Sequence, residues 1–329
     1  MGRYILRRLL YAMVTLVAIS VVCFFLVQLP PGDWLDIYAA RLAEGGADVE
    51  QAFLEDLRQT YGLGDPLPLQ YLRWVGGIIT RGDFGYSFLR QVPVSELIWS
   101  RMGMTLMLTL TTTAFVWIVG LLVGVYSATH KNTVGDYVVT FFGFVGLSIP
   151  NFVLALVLIS LAVVHLDSGI ASGLFSVEYA AAPWSLAKLW DLLKHLWVPV
   201  IVIGTAGTAG LIRVTRGNML DVMDQEYIRA ARAKGLRRGR VVWRHALKNC
   251  MHPLIMSLGM MLPNIISGAT VTSIVLSLPT AGHLFYESLR NQDMYLASTF
   301  LMLLAGLLVV GNLLADIILA MVDPRIKFD

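Results

Sequence analysis

The chain has 329 residues, of which 57% are hydrophobic and 14% charged, with a formal net charge of +3. So large an apolar excess excludes a water-soluble globular domain, because lipid has to solvate much of the surface. Apolar runs of about 18 residues or more, enough to cross roughly 30 Å of hydrocarbon, recur along the whole length, which excludes a soluble domain held by one anchor.

Arg3, Arg7 and Arg8 precede an apolar stretch from Leu9 to Leu29. That stretch exceeds the apolar core of about 7–15 residues found in secretory signals, and the following Gln28-Leu29-Pro30-Pro31-Gly32 has no small-x-small cleavage site. The reading is an uncleaved first membrane helix. Next comes a polar segment from Pro30 to Arg101, in which Glu50, Glu55 and Asp56 alternate with Leu54, Leu57 and Tyr61 at helical spacing before the turn Gly62-Leu63-Gly64-Asp65-Pro66-Leu67-Pro68. This predicts a small extracytoplasmic subdomain with at least one amphipathic helix, packed as a cap on the bundle.

Further candidate spans are Met102–Tyr126, Tyr137–Val164, Leu196–Val214, His252–Ser277 and Ala297–Leu319, making six with the first and placing both termini on one side. With the N-terminus inside, the inner segments hold sixteen of the twenty-five Lys and Arg residues, ten of them between Arg213 and Lys248. The outer segments carry nine basic residues against fifteen acidic ones, so both termini are expected in the cytoplasm.

Small residues recur in the spans. Gly120 and Gly124 lie in the second, and Gly204, Gly207 and Gly210 with Thr205 and Thr208 in the fourth. Such a face lets helix backbones approach closely and also suits the wall of an aqueous path. Pro150, in Ser148-Ile149-Pro150-Asn151, and Pro263, before Asn264, each remove a backbone hydrogen bond, as at a kink, a hinge or a cavity wall. Ser148, Asn151, Gly204, Gly207 and Asn264 are the candidate path residues.

The two cysteines, Cys23 and Cys250, are expected at different membrane depths and indicate no disulfide, and the six histidines lack metal-binding pairing. No Gly-x-x-x-x-Gly-Lys-Ser/Thr phosphate loop occurs, so no nucleotide is expected on this chain.

The basic segment from Asp221 to His252 has more periodicity than charge placement requires. Asp224 is a candidate cap for a short helix starting at Glu226, with Arg232 and Lys234 in its last turn and Gly235 beyond it. Tyr227, Ala230, Ala231 and Lys234 fall on one face of that helix, as a partner protein's groove would need. A second short helix is expected from Arg240, with Arg240, Arg244 and Lys248 on one side and Trp243, Ala246, Leu247 and Cys250 on another. Binding of nucleic acid through this segment would need aromatic stacking residues among the charges, and Trp243 alone is too few.

Glu226-Tyr227-Ile228-Arg229-Ala230-Ala231-Arg232-Ala233-Lys234-Gly235, with Arg244-His245-Ala246-Leu247-Lys248-Asn249, resembles the EAA loop of ATP-binding-cassette importer permeases, most closely the dipeptide, oligopeptide and nickel branch. The resemblance extends to Arg3-Tyr4, Arg7-Arg8-Leu9, Pro31-Gly32-Asp33, Gly82-Asp83-Phe84-Gly85 and Asp323-Pro324-Arg325. It implies an all-α polytopic membrane protein with the type I importer permease fold: helix 1–29, extracytoplasmic subdomain 30–101, and a five-helix core 102–329 with a cytoplasmic coupling loop at 215–251. It further implies that Glu226, Tyr227, Arg229, Ala230, Ala231, Lys234, Gly235 and Arg244 meet an ATPase subunit.

The partners implied are a homologous second permease, two ATPases that hold ATP and Mg, a solute-binding protein outside the bacterial inner membrane, and lipid. Arg229 stands where the general motif has glutamate, so the salt bridge made there by other importers is not implied. Leu276-Ser277-Leu278-Pro279-Thr280-Ala281-Gly282 lacks the aromatic and tryptophan that the family generally has before Pro-Gly. The alternative, an ion-driven secondary transporter, requires acids buried in mid-span, and the candidate spans hold only Asp316, near one end.

Overall fold

The computed structural model describes residues 2–30, 32, 34–44, 55, 56, 58, 59, 62–165 and 173–322. Pro31, Asp33, Glu50, Leu54, Leu57, Tyr61 and Asp323-Pro324-Arg325, all used in the sequence reading, lie outside these. In chain order the elements are α1 (Gly2–Val27), α2 (Trp34–Glu44), α3 (Leu67–Arg81), β1 (Tyr86–Ser87), β2 (Val92–Pro93), α4 (Val94–Thr129), α5 (Val134–Ser148) and α6 (Asn151–His165). They continue with α7 (Val177–Ala180), α8 (Leu186–Met223), α9 (Glu226–Ala233), α10 (Arg238–Gly268), α11 (Thr270–Val275), α12 (Ala281–Arg290) and α13 (Met294–Val322).

Five helices, α1, α4, α8, α10 and α13, are long and apolar enough to cross a membrane, and the bent pair α5 and α6 makes a sixth span if taken as one. The stretch read as one span, Tyr137–Val164, is therefore two helices at 103°. The cause is Pro150: its ring pushes Ile149 out of the helical region, to φ −87° and ψ 120°, and it has no N–H to continue the ladder. Pro263, by contrast, stays inside α10 with Pro253, and α8 carries Pro199. The span read as His252–Ser277 breaks near Ala269, leaving α11 separate.

The chain forms two compact units. The first comprises residues 1–103 and 280–307. Its core is aromatic: Trp34 stacks on Tyr38 and Phe88 with ring centroids 5.0 and 4.9 Å apart, and Phe24 stacks on Trp74. The indole of Trp74 donates to the Phe84 carbonyl at 2.9 Å. At Gly85, with φ +94°, any Cβ would sit 2.8 Å from the Tyr295 ring, so both the backbone and the space require glycine there.

Asp293 is fully buried and ties the β-hairpin to the start of α13. One carboxylate oxygen accepts from the Ser87 hydroxyl at 2.5 Å and the Leu89 amide at 3.3 Å; the other accepts from the Leu296 amide at 3.4 Å, capping the helix. Burial pushes its pKa up, opposed by those hydrogen bonds.

The second unit comprises residues 104–279 and 308–329. Helix α8 is its axis: most of its apolar window is buried, against less than a third for the other long helices, and it packs on α5, α6 and α10. Glycine permits the closest crossings. A Cβ on Gly124 would meet Thr215 Cβ at 2.7 Å, and one on Gly120 would meet Leu211 at 2.8 Å. Gly259 of α10 and Gly311 of α13 sit backbone to backbone, a Cβ on the former falling 2.9 Å from the Cα of Asn312.

Gly259→Ala is expected to lower stability by about 1–3 kcal/mol through overpacking. Gly217→Ala, in α8 with nothing within 4 Å of its Cβ position, should leave stability unchanged or raise it by up to about 1 kcal/mol. Thermal unfolding of the two variants in the same detergent checks the contrast.

Candidate functional site

The basic segment forms a short helix, α9, between two long ones. Its N-cap is Gln225, with extended backbone and no side-chain cap bond, while Asp224 closes the preceding α8 in a helical conformation. The cap expected at Asp224 is thus displaced by one residue, because α8 runs nine residues beyond the predicted end at Val214 and leaves Asp224 inside the helical path. The other end follows expectation. Gly235 has φ +76°, its N–H donates to Arg232 O at 2.9 Å, and the Leu236 N–H donates to Ala231 O, a Schellman closure that needs a left-handed residue.

The face predicted from spacing divides in two. Ile228 is fully buried and Ala231 nearly so, both packed with Met219, Val241, Val242 and Ala246. Tyr227, Ala230, Lys234 and Gly235 are exposed, as are Glu226 and Arg229, which pair at 2.9 Å. One stripe of α9 therefore anchors it to its own chain while another is open.

The helix expected from Arg240 is no separate element but the beginning of α10, and Val241–Ala246 form a π-helical turn. An extra residue in that turn rotates the register, so Val241, Val242, Ala246 and Cys250 are buried while Trp243 is exposed with Arg240, Arg244 and Lys248. Trp243 thus leaves the apolar face that an uninterrupted 3.6 period gives it.

Two polar ties hold this region. Arg216 of α8 donates Nε to Asp136 Oδ1 at 2.9 Å and a terminal nitrogen to Oδ2 at 2.8 Å. Asp136, 2% exposed, also accepts from the Ser127 hydroxyl and from the Asn132 amide at 3.0 Å, so its charge is compensated on all sides. Arg238, at the start of α10, donates to the Thr129 carbonyl at the end of α4 at 2.6 Å, a cation on a helix C-terminus. The ends of α4 and α8 and the starts of α5 and α10 are thereby joined beside α9.

Sequence reasoning missed the pair, because Arg216 enters it only as one of the basic residues of the inner segments and Asp136 falls just outside the candidate span that starts at Tyr137. The available signal was Thr133-Val134-Gly135-Asp136 ahead of an apolar run, a capping-box spacing in which the Thr133 hydroxyl does accept from the Asp136 amide at 3.4 Å.

Between α8 and α10 lies a cavity of about 490 Å³. Asn151, Gly207 and Asn264, three of the candidate path residues, line it with Arg213 and Met260. The other two candidates do not. Gly204 faces Phe115, whose ring a Cβ would meet at 2.9 Å, and Ser148 donates to the Phe144 carbonyl one turn back. Thr205 and Thr208, read as part of the same face, instead line a separate cleft of about 250 Å³ with Gly146 and Phe142 of α5. The α8 surface near Gly207 is therefore small but mostly apolar.

Five long apolar helices, a broken α5–α6 pair and a basic segment between two of the helices are the features of a polytopic membrane protein. Residues 120–328 match the family described as binding-protein-dependent transport system inner membrane component, and residues 1–109 match its N-terminal family. The chain is 38% identical, over 100% of both chains, to the oligopeptide transport system permease protein AppB of Bacillus subtilis (strain 168). It is 32% identical, over 99% of each, to the dipeptide transport system permease protein DppB of Escherichia coli (strain K12). A solved chain of the MetNI methionine ABC transporter superposes with a TM-score of 0.51 at 17% identity, covering 70% of this chain and 97% of that one, a likeness of fold.

The chain belongs to the family of binding-protein-dependent transport system inner membrane components. It is an inner-membrane permease subunit of an ATP-binding-cassette importer, with the type I fold.

Arg216→Ala leaves the buried Asp136 carboxylate uncompensated and should cost about 3 kcal/mol. Adding Asp136→Asn should recover part of that loss. A double-mutant cycle by thermal unfolding in detergent reads the coupling, and additive losses would contradict it.

Proposed function

We propose that this subunit imports peptides delivered by an extracytoplasmic binding protein, and that α9 is the element through which ATPase subunits drive it. The observation that carries the reading is the division of α9 into an anchored stripe, Ile228 and Ala231, and an open one, Tyr227, Ala230 and Lys234. A lever needs both: one face rigidly joined to the spans, another free to seat in a partner. The Schellman closure at Gly235 and the Arg216 and Arg238 ties stiffen the joint, so a push on α9 reaches α8 and α10 together.

Those two helices flank the cavity. Rocking them about it is the alternating-access step, with Asn151, Gly207 and Asn264 along the path and Ser148 and Gly204 supporting the helices that move. Glu226, Arg229 and Arg244 contribute charge at the rim of the docking face. ATP and Mg are held by two partner ATPases, and a homologous second permease supplies the other half of the path. Both termini face the cytoplasm, and the segment 30–101 forms an extracytoplasmic subdomain beside the binding protein. The peptide cargo rests on the names of the oligopeptide and dipeptide permeases to which the chain is similar.

Ala230→Trp tests the lever, since Ala230 is exposed and a larger side chain there displaces no buried neighbour. The expected outcome is loss of ATPase subunits on co-purification and at least a tenfold loss of uptake, with the unfolding temperature of the subunit unchanged. Gly235→Val, which forces a β-branched residue into the left-handed region, should also lower uptake, and Gly235→Asn should retain more of it. Unchanged uptake and association in Ala230→Trp would sink the coupling assignment.

A further inference from the structure

Arg213 and Arg216 stand three residues apart on α8 and meet opposite fates. Arg216 is held in two hydrogen bonds by Asp136. Arg213 is exposed and lines the 490 Å³ cavity, and among the described residues it makes no hydrogen bond or ion pair. A charge placed only to set topology would not need to face a cavity. Among the described residues no aspartate or glutamate lines that cavity, and Arg213 is the one charged side chain there.

The register of the two walls places this charge at one end. Along the cavity wall α8 runs from Ile203 to Val214 and α10 from Ser257 to Gly268, with Ala269 just beyond it, so Arg213 lies at the far end of the α8 run from Ile203. Ten residues separate Ile203 from Arg213, about 15 Å of helix and close to the length of a short extended peptide. Asn151 and Asn264 lie on the wall and, among the described residues, neither side-chain amide has a partner in the chain. Amides of this kind match backbone N–H and C=O groups without reading sequence. Methionines 260 and 261 adapt to varied side chains.

We propose that Arg213 is a specificity-determining residue of this path, which receives the terminal carboxylate of the cargo peptide at the end of the cavity nearer α9. This rests on the peptide reading above. A guanidinium presents paired donors that match a carboxylate, whereas an amidated terminus offers neither the charge nor the second acceptor oxygen. Residues that grip more tightly would trap the cargo, and a single exposed cation gives a contact weak enough to release.

The test uses the intact transporter with its binding protein in proteoliposomes containing ATP, and two probes, tri-alanine and its C-terminal amide. The readout is the ratio of free-acid to amide uptake, compared between wild type and variants with the same binding protein, so that expression level and binding-protein preference cancel. Arg213→Gln should lower that ratio about tenfold, the worth of one hydrogen bond to a charged group. Arg213→Lys, which keeps the charge, should recover most of it. An unchanged ratio in Arg213→Gln overturns the assignment while leaving the peptide reading intact. If the wild type imports neither probe, the peptide reading falls and takes this proposal with it.

Discussion

Arg216 crosses from α8 to Asp136 at the start of α5 with both ends of its fork engaged, and the second unit depends on that crossing. The carboxylate is nearly inaccessible to water, so its charge is stable only while the guanidinium, the Ser127 hydroxyl and the Asn132 amide all face it. Those partners come from α4, the turn after it, and α8, which fixes three elements at one point. The α9 helix hangs from α8 immediately beyond. Any motion entering through α9 therefore meets a stiff corner and not a loose loop.

The helix packing obeys a second constraint, that backbones come close where side chains vanish. Gly120 and Gly124 bring α4 against α8, and Gly259 brings α10 against α13. In lipid the hydrophobic effect does not discriminate between helix contacts, so such close approaches carry the packing energy. Where α8 and α10 diverge the cavity opens, and Gly207, one of the glycines that line it, is in ordinary contact distance of Val116 rather than clamped. Tight crossings on one side and open space on the other let a pair of helices move without losing their neighbours.

Much of this was legible in the residues. Five long helices announce themselves by length and hydropathy, and the helix after Gln225 with its terminal Gly235 follows from local rules alone, since a Schellman closure involves only six consecutive residues. Less legible were events that depend on a register or a partner. The π-helical turn at Val241–Ala246 moves Trp243 out and Val242 in, and no spacing argument based on 3.6 residues per turn finds it. Thr205 and Thr208 share a face with Gly204 and Gly207 by spacing alone, yet both threonines line the cleft beside α5 while both glycines approach Val116 of α4, because different helices pack on the two sides of α8.

The sequence by itself determined the solvent of this protein, the order and character of its spans, and the family of its basic segment, because hydropathy, capping and motif spacing are local quantities. Tertiary structure decided which charge is neutralised and which is left facing a cavity. Arg213 and Arg216 are the same residue type on the same helix, and only the position of Asp136, eighty residues away in the chain, separates them. It also decided that Pro150 breaks a span while Pro263 sits within one, a difference of surroundings and not of chemistry.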